Sequence, residues 1–281
     1  MARFSSYDGT ELAFTSSGTG RPLVCLPGGP GGAASYLGDL GGLDALRTLV
    51  LLDPRGCGRS DLPADPTTMR FDRQALDLEA LRAELGLELL DVLGHSAGAV
   101  TAQAWASQFP ASVGRLVLLT PSDHLQGGAR DDVPAIRATY EAEPWYAEAR
   151  EAAELMPDAP PSQVSALRRA MQPFFYLRWD EQSQDHAARF EATMSKRGQL
   201  GYVTGAEDVD LAALVAGLRQ VTAPVLVVSG TRDAMSGRAA GELVATSFPH
   251  AELVVVDRAG HHPWIDAPQA FRAAVDPFVT L

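Results

Sequence analysis

Lysine is almost absent from this chain: Lys196 is the only one among 281 residues, and arginine carries nearly all the positive charge. Basic residues are also outnumbered, with 23 Lys and Arg against 35 Asp and Glu, for a formal net charge of −12. A surface of that sign repels phosphate backbones and anionic bilayers, so neither nucleic acid nor a membrane is an expected partner. Cysteine is scarce too. Cys25 and Cys57 are too few for a disulfide framework or a cysteine-held metal centre. No apolar stretch approaches the roughly 20 residues that a bilayer-spanning helix needs. Met1 to Gly9 lacks the basic segment and following apolar run of a signal peptide, so the expected location is the cytoplasm. Internal repeats and low-complexity tracts are missing as well.

What is present is apolar and ordered in short blocks. Hydrophobic residues make up 46% of the chain, enough for one large core with an insertion. Leu23 to Leu26, Thr48 to Leu52 and Leu89 to Leu93 are apolar runs bounded by Gly, Pro or Asp. Arg115 to Leu119, Pro224 to Ser229 and Glu252 to Val256 repeat the pattern. Runs this short and this uniformly apolar predict strands buried on both faces, as in a parallel sheet. Helical patterns separate many of them, over Asp72 to Leu85, Ala97 to Phe109, Gly237 to Phe248 and Gln269 to Phe278. Gly86 marks a stop after the first. The alternation predicts an α/β fold built from βαβ units. Phe4 to Tyr7 and Glu11 to Thr15 flank Asp8-Gly9 and predict an antiparallel hairpin at the sheet edge.

The alternation fails between residues 121 and 208. That segment has no buried-strand signal, amphipathic helical stretches at Trp145 to Leu155 and Ser162 to Gln172, and a concentration of aromatics. It predicts a helical cap of residues 121–208 inserted into a core of residues 1–120 and 209–281. Most of its aromatics are expected to form the cap's own core, and a few to face a pocket. The Pro-rich stretch Met156 to Pro161 predicts a loop between cap helices.

The chemistry gathers around Gly94-His-Ser-Ala-Gly98, preceded by an apolar strand and followed by a small-residue helix. A serine on a sharp strand-to-helix turn needs small neighbours, because the turn is strained and crowded. Ser96 then projects at the carboxyl edge of the sheet, where backbone N–H groups can hold developing negative charge. G-x-S-x-G in that context is the nucleophile elbow of the α/β-hydrolase fold, whose partners follow in the order Ser, acid, His. Asp233 lies just past the strand ending at Ser229, and His261 follows the strand ending near Asp257. His262 competes for the same role, but it precedes Pro263, which restricts its backbone. Motif position favours His261. His95 is directed elsewhere by the elbow, and His124, His186 and His250 lie outside the expected loop. The Gly-rich loop Pro27 to Gly32 follows the first buried strand and is suited to close backbone approach. It assigns the oxyanion-holding amides to Gly29 and Ala97.

Pro27-Gly-Gly-Pro-Gly31 and Asp53-Pro-Arg-Gly-Cys-Gly-Arg-Ser60 resemble the proline iminopeptidase family of α/β-hydrolases, across the whole main domain in order. The resemblance implies an eight-stranded, mostly parallel sheet flanked by helices with an inserted helical cap. Three positions depart from the family pattern: Pro27 replaces His, Pro54 replaces Gln, and the elbow reads Gly-His-Ser-Ala-Gly instead of Gly-Gly-Ser-Trp-Gly. All lie at or near the pocket, and none removes a member of the Ser96–His261–Asp233 set. In similar enzymes cap carboxylates hold the substrate's free amino group, and Glu141, Glu143, Glu148, Glu207 and Asp208 are available here. The resemblance therefore implies a serine hydrolase releasing N-terminal proline or another small residue from a short peptide, with no metal or organic cofactor. Alternatives are a carboxylesterase or lactonase on a small apolar ester, a tailoring hydrolase or cyclase, and a non-catalytic binding protein on the same fold. The Asp53 to Ser60 segment is expected to shape a turn near the site, with Arg55 tied to neighbouring backbone.

Overall fold

A computed structural model describes residues 1–128 and 131–280; residues 129–130, in the insertion, and residue 281 lie outside the described residues. Eight strands form one sheet: β1 (Ala2–Ser5), β2 (Glu11–Ser17), β3 (Pro22–Leu26), β4 (Thr48–Leu52), β5 (Leu90–His95), β6 (Val113–Leu119), β7 (Val225–Gly230) and β8 (Ala251–Val256). Their order is β1-β2-β4-β3-β5-β6-β7-β8. The β1/β2 and β2/β4 pairs are antiparallel and the rest parallel. The hairpin of β1 and β2 sits at the edge, and Gly9 at its turn adopts φ +83°.

Five of the six apolar runs became β3 to β7, strands with protein on both faces; the sixth became β8, the edge strand, whose Glu252 is exposed. Alternate residues serve opposite layers, as the period-two geometry of a strand requires. Val24, Val50, Val92, Leu116, Leu118 and Val227 join one core cluster. Leu23, Cys25, Leu49, Leu51, Leu93, Val117 and Val228 join the other. The first layer is closed by α1 (Ala75–Glu84), α2 (Ala97–Gln108) and the end of α9 (Gly237–Ala245). The second is closed by α10 (Pro263–Asp266), α11 (Pro268–Thr280) and the turns between residues 34 and 45. Helix α1 ends as its sequence demands: Gly86, at φ +65°, lies just past it.

Between β6 and β7 the described residues contain no strand. They form α3 (Val133–Ala138), α4 (Tyr146–Leu155), α5 (Pro161–Ala170), α6 (Glu181–Ala192), α7 (Lys196–Val203) and α8 (Leu211–Leu218). Tyr140 and Phe174 are buried together there, with Trp145 and Tyr146 packed against them. The stretch after α4 is a short 3₁₀ turn, Met156–Asp158, and not loop throughout. Arg55 is fully buried, and it is held by side chains: Asp77 at 2.6 and 2.7 Å, Asp8, Thr10 and Thr68. The expected backbone ties are replaced by this charged cluster, since two carboxylates match a guanidinium better than carbonyls do. No helix among the described residues is long and apolar enough to cross a membrane.

Candidate active site

Six strands, β3 to β8, run parallel and so deliver the loops at their carboxyl ends to one edge of the sheet. The site grows from those loops. Strand β5 stops at His95 and α2 starts at Ala97, leaving Ser96 alone to make the bend at φ 53°, ψ −116°. A non-glycine residue there is strained, and the surroundings hold it in place. Its N–H donates to the Leu119 carbonyl at 3.0 Å. The flanking glycines are fixed by crowding. A Cβ on Gly94 would come within 2.6 Å of the Gly98 carbonyl oxygen, and one on Gly98 within 2.5 Å of the Leu26 carbonyl oxygen.

Asp233 lies three residues beyond β7 and is fully buried. Its carboxylate accepts backbone N–H bonds from Met235 and Ser236, each at 3.0 Å. It also accepts from Nδ1 of His261 at 3.0 and 3.1 Å. A carboxylate can only accept in this arrangement, so Nδ1 of His261 carries the proton and Nε2 is left to face the cavity. His262 does not share this position. Its ring is fully buried, stacked on Tyr176 with centroids 4.9 Å apart. Of the two neighbouring histidines, His261 is the one that meets Asp233 and the cavity.

The backbone of His261 is tied on three sides. Its N–H donates to the Phe175 carbonyl at 2.8 Å. Its carbonyl accepts from Thr120 Oγ1 at 2.9 Å and from His95 Nε2 at 3.0 Å. Thr120 carried no signal in the sequence, because it belongs to no motif and acts through a hydroxyl from a remote segment; Phe175 was foreseen only as one of the aromatics of the insertion, and its carbonyl contact was not.

Ser96 and His261 line one cavity of about 250 Å³, with Gly29, Ala97, Phe71, Phe175, Tyr202 and Met235 among its walls. The amides of Gly29 and Ala97 make no hydrogen bond to any described residue. Two unpaired N–H groups beside a serine are suited to an anionic oxygen. The walls are mainly hydrocarbon and aromatic, and no described residue lining the cavity carries a carboxylate. Glu141, Glu143, Glu148, Glu207 and Asp208 are all exposed, and none reaches it. Cys25 and Cys57 are buried, and burial raises both thiols, that of Cys57 to about 12. They stay protonated and inert. No cluster of metal-ligating side chains occurs among the described residues.

A serine on a strand–helix bend, backed by a buried Asp–His pair on the same sheet edge, defines the class of serine hydrolases built on a parallel sheet. The family model for the alpha/beta hydrolase fold matches residues 21–268, and the chain belongs to that family. It is similar to a proline iminopeptidase of Levilactobacillus brevis, 29% identical over 271 residues, 90% of this chain and 86% of that protein. It is also similar to a 3-oxoadipate enol-lactonase of Acinetobacter baylyi, 25% identical over 228 residues, 81% of this chain and 77% of that one. Among solved structures, an esterase from Exiguobacterium antarcticum superposes with a TM-score of 0.74 at 19% identity, covering 99% of both chains. The chain is a serine hydrolase of this family, resembling proline iminopeptidases.

Proposed function

We propose that the chain hydrolyses small, neutral, apolar esters or lactones through an acyl-enzyme on Ser96. The observation that carries this reading is the composition of the cavity around Ser96. It is small and largely apolar, and no described residue lining it carries a carboxylate to meet a charged amino group. A buried ammonium without an anionic partner is costly to desolvate, whereas an alkyl or acyl group gains from the same walls.

In this mechanism Nε2 of His261 takes the proton of the Ser96 hydroxyl as the oxygen attacks the carbonyl carbon. Asp233 fixes the ring and stabilises its cation. The oxyanion is held by the amides of Gly29 and Ala97. His261 then protonates the departing alcohol, and water, deprotonated by the same ring, releases the acid. The insertion between β6 and β7 acts as a cap, since Phe175 and Tyr202 from it wall the cavity.

Release of N-terminal proline or another small residue is the second reading. It is favoured by the similarity to a proline iminopeptidase over 90% of the chain. Paired assays separate the two: p-nitrophenyl acetate and butyrate against proline arylamide. Ester turnover well above arylamide turnover is expected, and the reverse order would replace the first reading with the second. Ser96→Ala is expected to lower kcat by at least about 10³-fold on whichever substrate is turned over. Undiminished turnover in that variant would remove Ser96 from the mechanism.

A further inference from the structure

Both ring nitrogens of His95 are engaged, and the bonds run to the two other parts of the site. Tyr36 Oη lies 2.6 Å from Nδ1 of His95 and 2.7 Å from the amide nitrogen of Gly28. On the other side, Nε2 of His95 lies 3.0 Å from the His261 carbonyl oxygen. Tyr36 and His95 are buried, and neither lines the cavity.

The partners fix every proton in this chain. A carbonyl only accepts, so Nε2 of His95 carries a hydrogen. The Gly28 N–H only donates, so the tyrosine oxygen accepts it. The one tyrosine hydrogen is then left for Nδ1 of His95, which must be bare. His95 is thus a neutral ring with the proton on Nε2. Burial, followed by the nearby rings of His261 and His186, holds its pKa well below the ordinary imidazole range. A second proton would put an N–H against the tyrosine oxygen, strand the tyrosine hydrogen, and set a cation 4.9 Å from the His261 ring. That cation would oppose the charge His261 must take up in the reaction.

We propose that Tyr36 and His95 are positioning residues that lock the oxyanion loop, the serine bend and the histidine loop into one register through the chain Gly28 N–H, Tyr36 Oη, His95, His261 carbonyl. The proposal rests on the reading of Ser96 and His261 as nucleophile and base. Each end of the chain is one residue from, or part of, a group with a reacting role. Gly28 precedes Gly29, His95 precedes Ser96, and the His261 carbonyl belongs to the residue whose ring meets Asp233. Neither residue touches substrate. They act by keeping the amide, the hydroxyl and the imidazole at a common distance, a requirement that small displacements violate.

The test uses the full chain and two readouts, the rate of labelling by a fluorophosphonate and the hydrolysis of p-nitrophenyl acetate. Tyr36→Phe keeps the ring and removes the hydroxyl. It is expected to slow labelling and kcat by roughly 10- to 100-fold while KM stays within about twofold. His95→Gln keeps an amide donor for the His261 carbonyl, while His95→Leu fills similar space with no donor. The expected order is wild type, then Gln, then Leu, with circular dichroism checking that each variant folds. Packing alone would reverse the last two, because leucine suits an apolar nest better than glutamine. Wild-type labelling by Tyr36→Phe, or Leu matching or exceeding Gln, would overturn the proposal. Failure of the underlying reading is distinct: the wild-type chain would itself resist both reagents, and the positioning role would fall with it.

Discussion

Gly28 illustrates how the site restricts single residues. A Cβ placed on it would stand 2.9 Å from the Ser96 Cβ, 3.0 Å from the His95 carbonyl oxygen and 3.1 Å from Nδ1 of His95. None of these neighbours is the free end of a flexible chain. The serine bend is strained at φ 53°, and the His95 ring is held at both nitrogens. The loop carrying Gly29 must therefore move if Gly28 gains a methyl group. Gly28→Ala is expected to fold, because the added atom meets one edge of the site and leaves both core layers intact. Its kcat on a short ester is expected to fall about 10- to 100-fold. Steady-state kinetics beside a thermal melt checks this. A kcat within about twofold of wild type would show that the Gly29 amide is not where the oxyanion forms.

At the scale of elements, the charged cluster under the β1–β2 hairpin carries the clearest consequence. Arg55 joins the turn after β4 to Asp77 on α1 and to Asp8 and Thr10 at the hairpin turn, with the Tyr7 ring 4.6 Å from its guanidinium carbon. The cation is fully buried, so the cluster is sensitive to losing one partner. Arg55→Met leaves the Asp77 carboxylate buried without its cation, held only by the Ser6 hydroxyl, and is expected to destabilise the fold by about 3–5 kcal/mol in urea denaturation. Arg55→Met/Asp77→Leu removes the stranded charge as well and is expected to recover part of the loss. A double variant no more stable than the single would refute the pairing argument. This cluster also marks the limit of what the sequence discloses. The central strands were legible because burial on both faces leaves a continuous apolar run, as at Thr48–Leu52 and Val225–Gly230. Ser96, Asp233 and the two adjacent histidines were legible because each sits at a fixed offset from such a run. Arg55 was legible only as a residue in a motif. Its partners at positions 6, 8, 10, 68 and 77 have no periodic relation to it, so the expectation of backbone ties missed them. For the same reason nothing in the sequence pointed to Tyr36 or Thr120 around His261, and Phe175 was legible only as one of the insertion's aromatics. The contacts that set them there run between segments remote in the chain.

For the molecule as a whole, the response to acid follows from what the site region buries. His95, His186 and His262 lie in one nest, with ring centroids 4.8 Å apart for His186–His262 and 5.2 Å for His95–His262. Burial lowers all three, His186 to about 4 and the other two well below the usual imidazole range. Asp266 is shifted the other way. Burial raises its carboxyl to about 7, although the Gly260 N–H donates to it at 2.8 Å. For the histidines, folded values below unfolded ones mean that stability is present above about pH 6.5 and lost as pH falls. For Asp266 the folded value lies above the unfolded one, so the folded state holds the extra proton, and stability is gained as pH falls from about 7 toward 4. The histidines outnumber the carboxyl. Near pH 5.5 the unfolded chain therefore binds more of these protons than the folded one, and stability falls as pH falls. The approach to the pI of about 4.9 relieves surface repulsion, but at physiological salt that gain is screened. Urea denaturation between pH 8 and pH 5 is therefore expected to show stability falling once pH drops below about 6.5, where the histidines of the unfolded chain begin to titrate. Neither ring nitrogen of His262 makes a well-formed hydrogen bond, and its ring lies between aromatic neighbours. His262→Phe is expected to keep that stacking and remove one titrating group, making the fall of stability with pH near 5.5 shallower. An unchanged slope in this variant would mean that His262 is already charged in the folded state, and that the nest does not set the acid limit of the fold.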